Sequence, residues 1–226
     1  MILSRRLFAA AIICGICLAA SCRNDALAAI QTNAKAPPRP TPVQVYLVRG
    51  LADIFSLGMD KLADRLRQQG YPASVYSTHH WQSIAKQIVA NNTNGHKEII
   101  VLVGHSLGAD ATLNIANELA HSNIPVEVVV TFDATQPPTV PRNVLHFVNF
   151  FQHNGFGKSV VPGTGFKGQL SNVDLTTDRS LSHVTIDKSD RLHGHVLGKI
   201  DEIVEKDLAQ RTKASSPETR KAKRKN

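Results

Sequence analysis

The sequence predicts an α/β fold, a three-layer sandwich on a mostly parallel sheet of about six strands. Three observations carry that expectation. Short apolar runs alternate with segments of helical period from about residue 43 to residue 206; the central runs are continuously apolar; and glycine marks element boundaries. A strand apolar at every position has both faces buried, which requires helices above and below the sheet. At 226 residues, the chain is long enough to bury one sizeable core without disulfides or metal.

Each element follows in order. VQVYLVRG (43–50) reads as the first strand, and Met59, Leu62, Ala63 and Leu66 follow at helical spacing, with Gly70 placed to stop that helix. ASVYS (73–77) is a short strand, after which Trp81, Ile84, Ala85 and Ile88 share a helical face. EIIVLVG (98–104) is a continuous apolar strand, Ala111, Ile115 and Leu119 mark the next helix, and VEVVVTF (126–132) repeats the strand type. VLHFVNFF (144–151) and QLSNVDL (169–175) are the last strands. The closing helix runs through Leu192, Val196, Ile200, Ile203 and Val204. Residues 152–168 carry five glycines and no helical period, so they are expected to form a loop, either a wall over a site or a plain surface connection.

The segments outside this domain differ in kind. Residues 1–28 have the form of an export signal: Arg5 and Arg6 precede an apolar run, and Ala26-Leu27-Ala28 offers a cleavage site. This places the protein in a bacterial periplasm or outside the cell. An alternative is a lipoprotein anchored through Cys22, because Ala19-Ala20-Ser21-Cys22 resembles a lipid-attachment site. The three cysteines, Cys14, Cys17 and Cys22, all lie in this leader, so a chain starting at Ala29 has neither redox chemistry nor a Cys-based zinc site. Residues 29–42 form a proline-rich spacer, 43–210 the folded domain and 211–226 a basic tail expected to be disordered.

Charge is confined to the ends. Of 26 basic and 18 acidic residues, the leader holds three and one and the tail seven and one, leaving sixteen of each in the core. A nucleic-acid-binding fold would carry a basic face of its own, so no nucleic-acid partner is expected. The tail is left as a solvated terminus or a contact with an anionic envelope surface.

The stretch VLVGHSLGAD (101–110) concentrates the chemistry. A Gly-x-Ser-x-Gly pattern between a strand and a helix forces a sharp turn that exposes the hydroxyl, Gly104 and Gly108 permit close backbone approach, and the helix N-terminus favours developing negative charge. Ser106 is therefore the candidate nucleophile, and it needs a base and an acid downstream. Asp133 follows VEVVVTF immediately, at the same sheet edge, and is the candidate acid, with Asp174 the alternative. His183, between the last strand and last helix, is the candidate base, with His193 the alternative; His105 is expected to shape the turn with its ring pointing away from Ser106. Oxyanion donors are sought in the backbone N–H of Leu107 and of Leu51 or Ala52, while Asp53 and Phe55 are candidate pocket residues. His79-His80 and His193-x-His195 lack the i, i+4 spacing of a helical metal site, so no metal or other cofactor is expected.

With GHSLG, the Asp ending VVVTFDAT and the late HVTIDKSDRLH in place, residues 43–206 resemble the α/β-hydrolase superfamily, specifically its small lipase-like and thioesterase-like members. The resemblance implies a Ser106-Asp133-His183 triad that cleaves a small-molecule or lipid-like acyl ester through an acyl-enzyme, without cofactor. Two departures stand out. Arg49-Gly50 replaces the His-Gly pair common in lipases, and six expected strands replace eight, which implies a minimal version with a shallow, open site. The competing expectation is a noncatalytic envelope-associated binding protein that keeps this fold.

Overall fold

A computed structural model describes residues 43–51, 56–93 and 98–215. Six strands form one sheet in the order β2-β1-β3-β4-β5-β6, with every neighbouring pair parallel. They are β1 (Val43–Val48), β2 (Ala73–Tyr76), β3 (Ile99–His105), β4 (Val126–Phe132), β5 (Val144–Phe151) and β6 (Gln169–Asp174). The helices are α1 (Gly58–Gln68), α2 (Trp81–Thr93), α3 (Leu107–His121) and α4 (Asp190–Ser215). All described residues fall in one compact unit.

The continuous apolar strands split by parity into two cores, as a period of two requires. On one face Val45 and Leu47 of β1, Val101 and Val103 of β3, and Val128 and Val130 of β4 pack with Leu62 and Leu66 of α1 and Val196 and Ile200 of α4. On the other face, Tyr46, Val48, Ile100, Leu102 and Val129 pack with Ile84 and Ile88 of α2 and with Leu113 and Ile115 of α3. The three layers follow from this division. Gly70, at φ 85°, ends α1 as its position in the sequence implied, and Tyr71 N–H donates to Leu66 O across the turn at 3.0 Å.

Strand register brings the functional elements together. Val48 lies beside Gly104, His105 beside Phe132, and Phe132 beside Phe150, so the chain leaves β1, β3, β4 and β5 at one carboxyl edge. Residues 152–168 contain no helix and fold back over that edge. They are fastened by a polar ladder that follows the register: Thr131, Asn149 and Asn172 are successive cross-strand partners. Thr131 donates to Asn149 Oδ1, and Asn149 Nδ2 donates to Asn172 Oδ1 and to the carbonyl of Lys158. Asn172 then bonds both the N–H and the carbonyl of Val160 at 2.9 Å.

Helix α4 continues to Ser215, five residues into the segment expected to be disordered from 211. Arg211 pairs with Asp207 one turn earlier at 2.5 Å, which supports the extension. Among the described residues no helix is long and apolar enough to cross a membrane. The leader 1–28 with Cys22, the spacer 29–42, the pocket candidates Asp53 and Phe55, the donor candidate Ala52, and residues 216–226 lie outside the described residues.

Candidate active site

Ser106 stands at the turn from β3 into α3, as the first residue before the helix. Its backbone is at φ 57° and ψ −126°, a region that costs a non-glycine residue of order 1–3 kcal/mol and persists only when the surroundings enforce it. Three contacts enforce it. Ser106 N–H donates to Phe132 O at 2.9 Å, a Cβ on Gly104 would collide with the backbone of Gly108, and one on Gly108 would collide with the carbonyls of Val48 and Arg49. Both glycines are thus needed for β1, β3 and α3 to meet closely enough to hold the turn.

Asp133 follows β4 directly and is fully buried. It too has positive φ, 50°, and only one further non-glycine residue among those described shares that feature: Asn123, in the turn after α3. The remaining two, Ser106 and Asp133, directly follow adjacent strands whose last residues, His105 and Phe132, are register partners. Asp133 Oδ1 accepts the N–H of Gln152 at 2.8 Å, which leaves Oδ2 to face His183 Nδ1 at 3.0 Å. His183 Nε2 lies 3.0 Å from Ser106 Oγ. The structure therefore brings Ser106, His183 and Asp133 into one hydrogen-bonded chain.

The turn bearing His183 is held from several sides. Ser182 N–H donates to Thr185 Oγ1 and Ile186 N–H to Ser182 O, Gln152 Nε2 reaches Leu181 O at 3.3 Å, and His105 Nε2 contacts the carbonyl of His183 at 2.7 Å. His105 lines the cavity beside Ser106 and does more than shape the turn. Its Nδ1 meets Ser56 Oγ at 2.7 Å, and burial lowers its pKa to about 4, so its ring is neutral.

The two alternatives are placed elsewhere. His193 is buried beneath the sheet edge with Nε2 on the carbonyl of Asp187 at 2.6 Å and its ring edge-on to Phe132; burial lowers its pKa. It sits inside the broad apolar stripe of α4 and is a core residue. Asp174 closes β6 on the surface, where it bonds His153 Nδ1 at 2.6 Å and both the N–H and hydroxyl of Thr176. Those bonds, the hydroxyl of Thr176 first, hold its pKa down at about 2. It serves a surface turn.

A cavity of about 350 Å³ opens over Ser106, lined by Leu51, Ser56, His105, Leu107, Thr135, Phe156, His183 and Val184. Phe156 belongs to the glycine-rich loop and packs its ring 4.9 Å from that of His183, so the loop forms a wall of the site. Gly157 follows directly against the Asp133 carboxylate, where a Cβ would strike Oδ1. Leu51, Leu107, Phe156 and Val184 are exposed apolar side chains that converge on this one opening. The Leu107 N–H is the first in α3 and has no intrahelical acceptor. Gly50 N–H, in the loop after β1, is already committed to Ser56 Oγ at 2.8 Å.

Several site residues escaped sequence reasoning. Gln152 could have been found from register, because it leaves β5 two positions beyond the partner of Phe132. Ser56, Phe156 and Val184 are loop residues without a periodic signal, and Asp187 was hidden in a short 3-10 turn, where its carboxylate accepts Gly58 N–H at 3.0 Å. Among the described residues no group of three or more His, Cys, Asp or Glu side chains could hold a metal ion.

A strained Gly-x-Ser-x-Gly turn between a central parallel strand and its helix, with acid and histidine following in that chain order, defines an α/β-hydrolase-like fold. No protein-family model matches the chain, and no curated protein matches it in sequence. It is similar to the solved structure of the RedJ thioesterase of the prodiginine biosynthetic pathway in Streptomyces coelicolor, with 12% identity over 72% of this chain and 88% of that one and a TM-score of 0.47. It is likewise similar to a hydrolase of the alpha/beta superfamily from Xanthomonas campestris pv. campestris, with 15% identity over 69% and 98% of the two chains and a TM-score of 0.40. A metagenomic carboxyl esterase gives 15% identity, coverage of 76% and 78%, and a TM-score of 0.44. The class rests on the chain's own topology and elbow.

Proposed function

We propose that this chain is an exported serine hydrolase that cleaves a carboxylic ester or thioester through an acyl-enzyme on Ser106. The observation that carries the reading is the continuous chain from Ser106 Oγ through His183 to Asp133 Oδ2, each link 3.0 Å. A serine hydroxyl is a poor nucleophile until an imidazole within hydrogen-bond reach accepts its proton. Asp133, acceptor-only at Oδ2, makes His183 Nδ1 the protonated nitrogen and so frees Nε2 to act as base.

In this mechanism Ser106 Oγ attacks the acyl carbonyl while its proton passes to His183 Nε2. The carbonyl oxygen becomes an anion directed at the N–H of Leu107, with Leu51 as the second donor. His183 then returns the proton to the leaving oxygen or sulfur, the acyl-enzyme forms, and water repeats the sequence to release the acid. The apolar lining from Leu51, Leu107, Phe156 and Val184 suits an acyl chain. The leader-like residues 1–28 add export to the reading, and the mass of the mature N-terminus checks it.

Labelling by a fluorophosphonate probe tests the chemistry. Wild type should label stoichiometrically, Ser106→Ala should not, and His183→Ala should lose about 10²- to 10⁴-fold in turnover of p-nitrophenyl esters. An unreactive wild type would instead favour a binding protein that keeps the fold.

A further inference from the structure

The ring of His105 spans two loops that the chemistry needs in fixed relation. One is the turn after β1, where Gly50 N–H is held by Ser56 Oγ at 2.8 Å; the other is the turn carrying His183, whose carbonyl lies 2.7 Å from His105 Nε2. Ser56 and His105 are 0% and 1% exposed, so water does not compete for these bonds. The direction of every proton can be assigned. A carbonyl only accepts, so His105 Nε2 carries the hydrogen; a neutral ring carries one hydrogen, so Nδ1 accepts; the Ser56 hydroxyl therefore donates to Nδ1 and uses its lone pair for Gly50 N–H. Asp187 Oδ2, 3.9 Å from Nδ1, is too far to take that place.

We propose that Ser56 and His105 are positioning residues that lock the oxyanion loop at Gly50 to the backbone of the base His183, so that the donor side and the proton-accepting side of Ser106 are set as one unit. The inference rests on the hydrolase reading above. The relay runs Gly50 N–H to Ser56 Oγ, Ser56 O–H to His105 Nδ1, and His105 Nε2–H to His183 O. Steric constraint supports the same coupling: a Cβ on Gly50 would press on Ser56 Oγ, His105 O and Ser106 Cβ at 2.9–3.0 Å, so this corner has no slack. Displacement of either loop by a fraction of an ångström would spoil attack geometry without emptying the acyl pocket.

The test compares wild type with Ser56→Ala, His105→Leu, His105→Gln and the Ser56→Ala/His105→Leu double variant, using p-nitrophenyl butyrate, fluorophosphonate titration of Ser106 and thermal melts. Ser56→Ala and His105→Leu should lower kcat per titrated site about ten- to a hundredfold with KM nearly unchanged. The double variant should be no worse than the poorer single one, and His105→Gln, whose amide N–H can reach the His183 carbonyl, should recover most of the loss. Should His105→Leu not fold, Ser56→Ala and His105→Gln carry the comparison. Unchanged kcat per site in the folded variants, additive losses, or no advantage of Gln over Leu would overturn the relay while leaving the hydrolase reading standing. A wild type that neither labels nor turns over would overturn both.

Discussion

At the scale of single residues, the site depends on side chains that are absent as much as on those present. Gly157 lies against the Asp133 carboxylate with no room for a methyl group, and Oδ1 of that carboxylate is the oxygen anchored by Gln152. Gly157→Ala must therefore push Asp133 off His183 or displace the wall carrying Phe156. We expect kcat to fall by about 10²-fold while the melting temperature moves by only a few degrees, because the clash is at the sheet edge and not in either core. Steady-state kinetics beside a thermal melt separate the two effects, and full activity in the variant would show that the carboxylate can yield. Asp110 illustrates the opposite case: its carboxylate accepts the N–H groups of Thr135 and Gln136 and the hydroxyl of Thr135, tying the chain after Asp133 to the first turn of α3. Burial raises its pKa, and these three bonds oppose that shift.

Among the elements, the glycine-rich loop is the one whose conformation is set by something other than its own sequence. It borrows order from the sheet through the Thr131-Asn149-Asn172 ladder, in which one buried amide serves two strands and the loop carbonyl of Lys158. Replacing Asn149 by Leu removes those bonds and leaves the Thr131 hydroxyl and a loop carbonyl without partners in a buried place. The expected cost is about 1–3 kcal/mol of stability. Amides of residues 155–160 should exchange markedly faster in hydrogen-exchange measurements, ahead of global unfolding. If exchange there stays at the wild-type rate, the loop is held by its own turns and the ladder is incidental. The β-bridge between Val140 and Pro162 then becomes the main tie.

For the whole molecule, stability should depend on pH through the buried groups near the site, His105, His193, Asp187 and Asp110. His105 has its pKa lowered to about 4 and His193 is lowered as well, so at both the unfolded chain binds more protons than the folded one; the contribution of His105 is complete above about 6.5 and lost as pH falls through about 4, and that of His193 is lost in the same direction. Asp187 is raised to about 6 by burial, so its contribution is complete below about 4 and lost as pH rises through 6. His105 and His193 should make urea midpoints climb between about pH 4 and 6.5, against an opposing fall from Asp187 and from Asp110, whose carboxyl burial also raises. Asp187→Asn should steepen that climb, and an unchanged slope would show that this carboxylate titrates normally. The six strands, the helix stop at Gly70 and the elbow at Ser106 were legible in the sequence because each is written in local period or in a backbone constraint that few residues satisfy. Asp133 was legible as a strand end, and His183 by its place between the last strand and helix. The tertiary structure alone decided that His193 packs in the core, that Asp174 turns to His153, that the 152–168 loop walls the cavity, and that His105 joins two loops. Those outcomes depend on strand order and on which side of an adjoining layer a side chain meets, and neither is encoded within the span of one helix or strand. What the sequence by itself determined is the set of elements and the chemistry they can offer; register between distant strands decided which of those groups share a hydrogen bond.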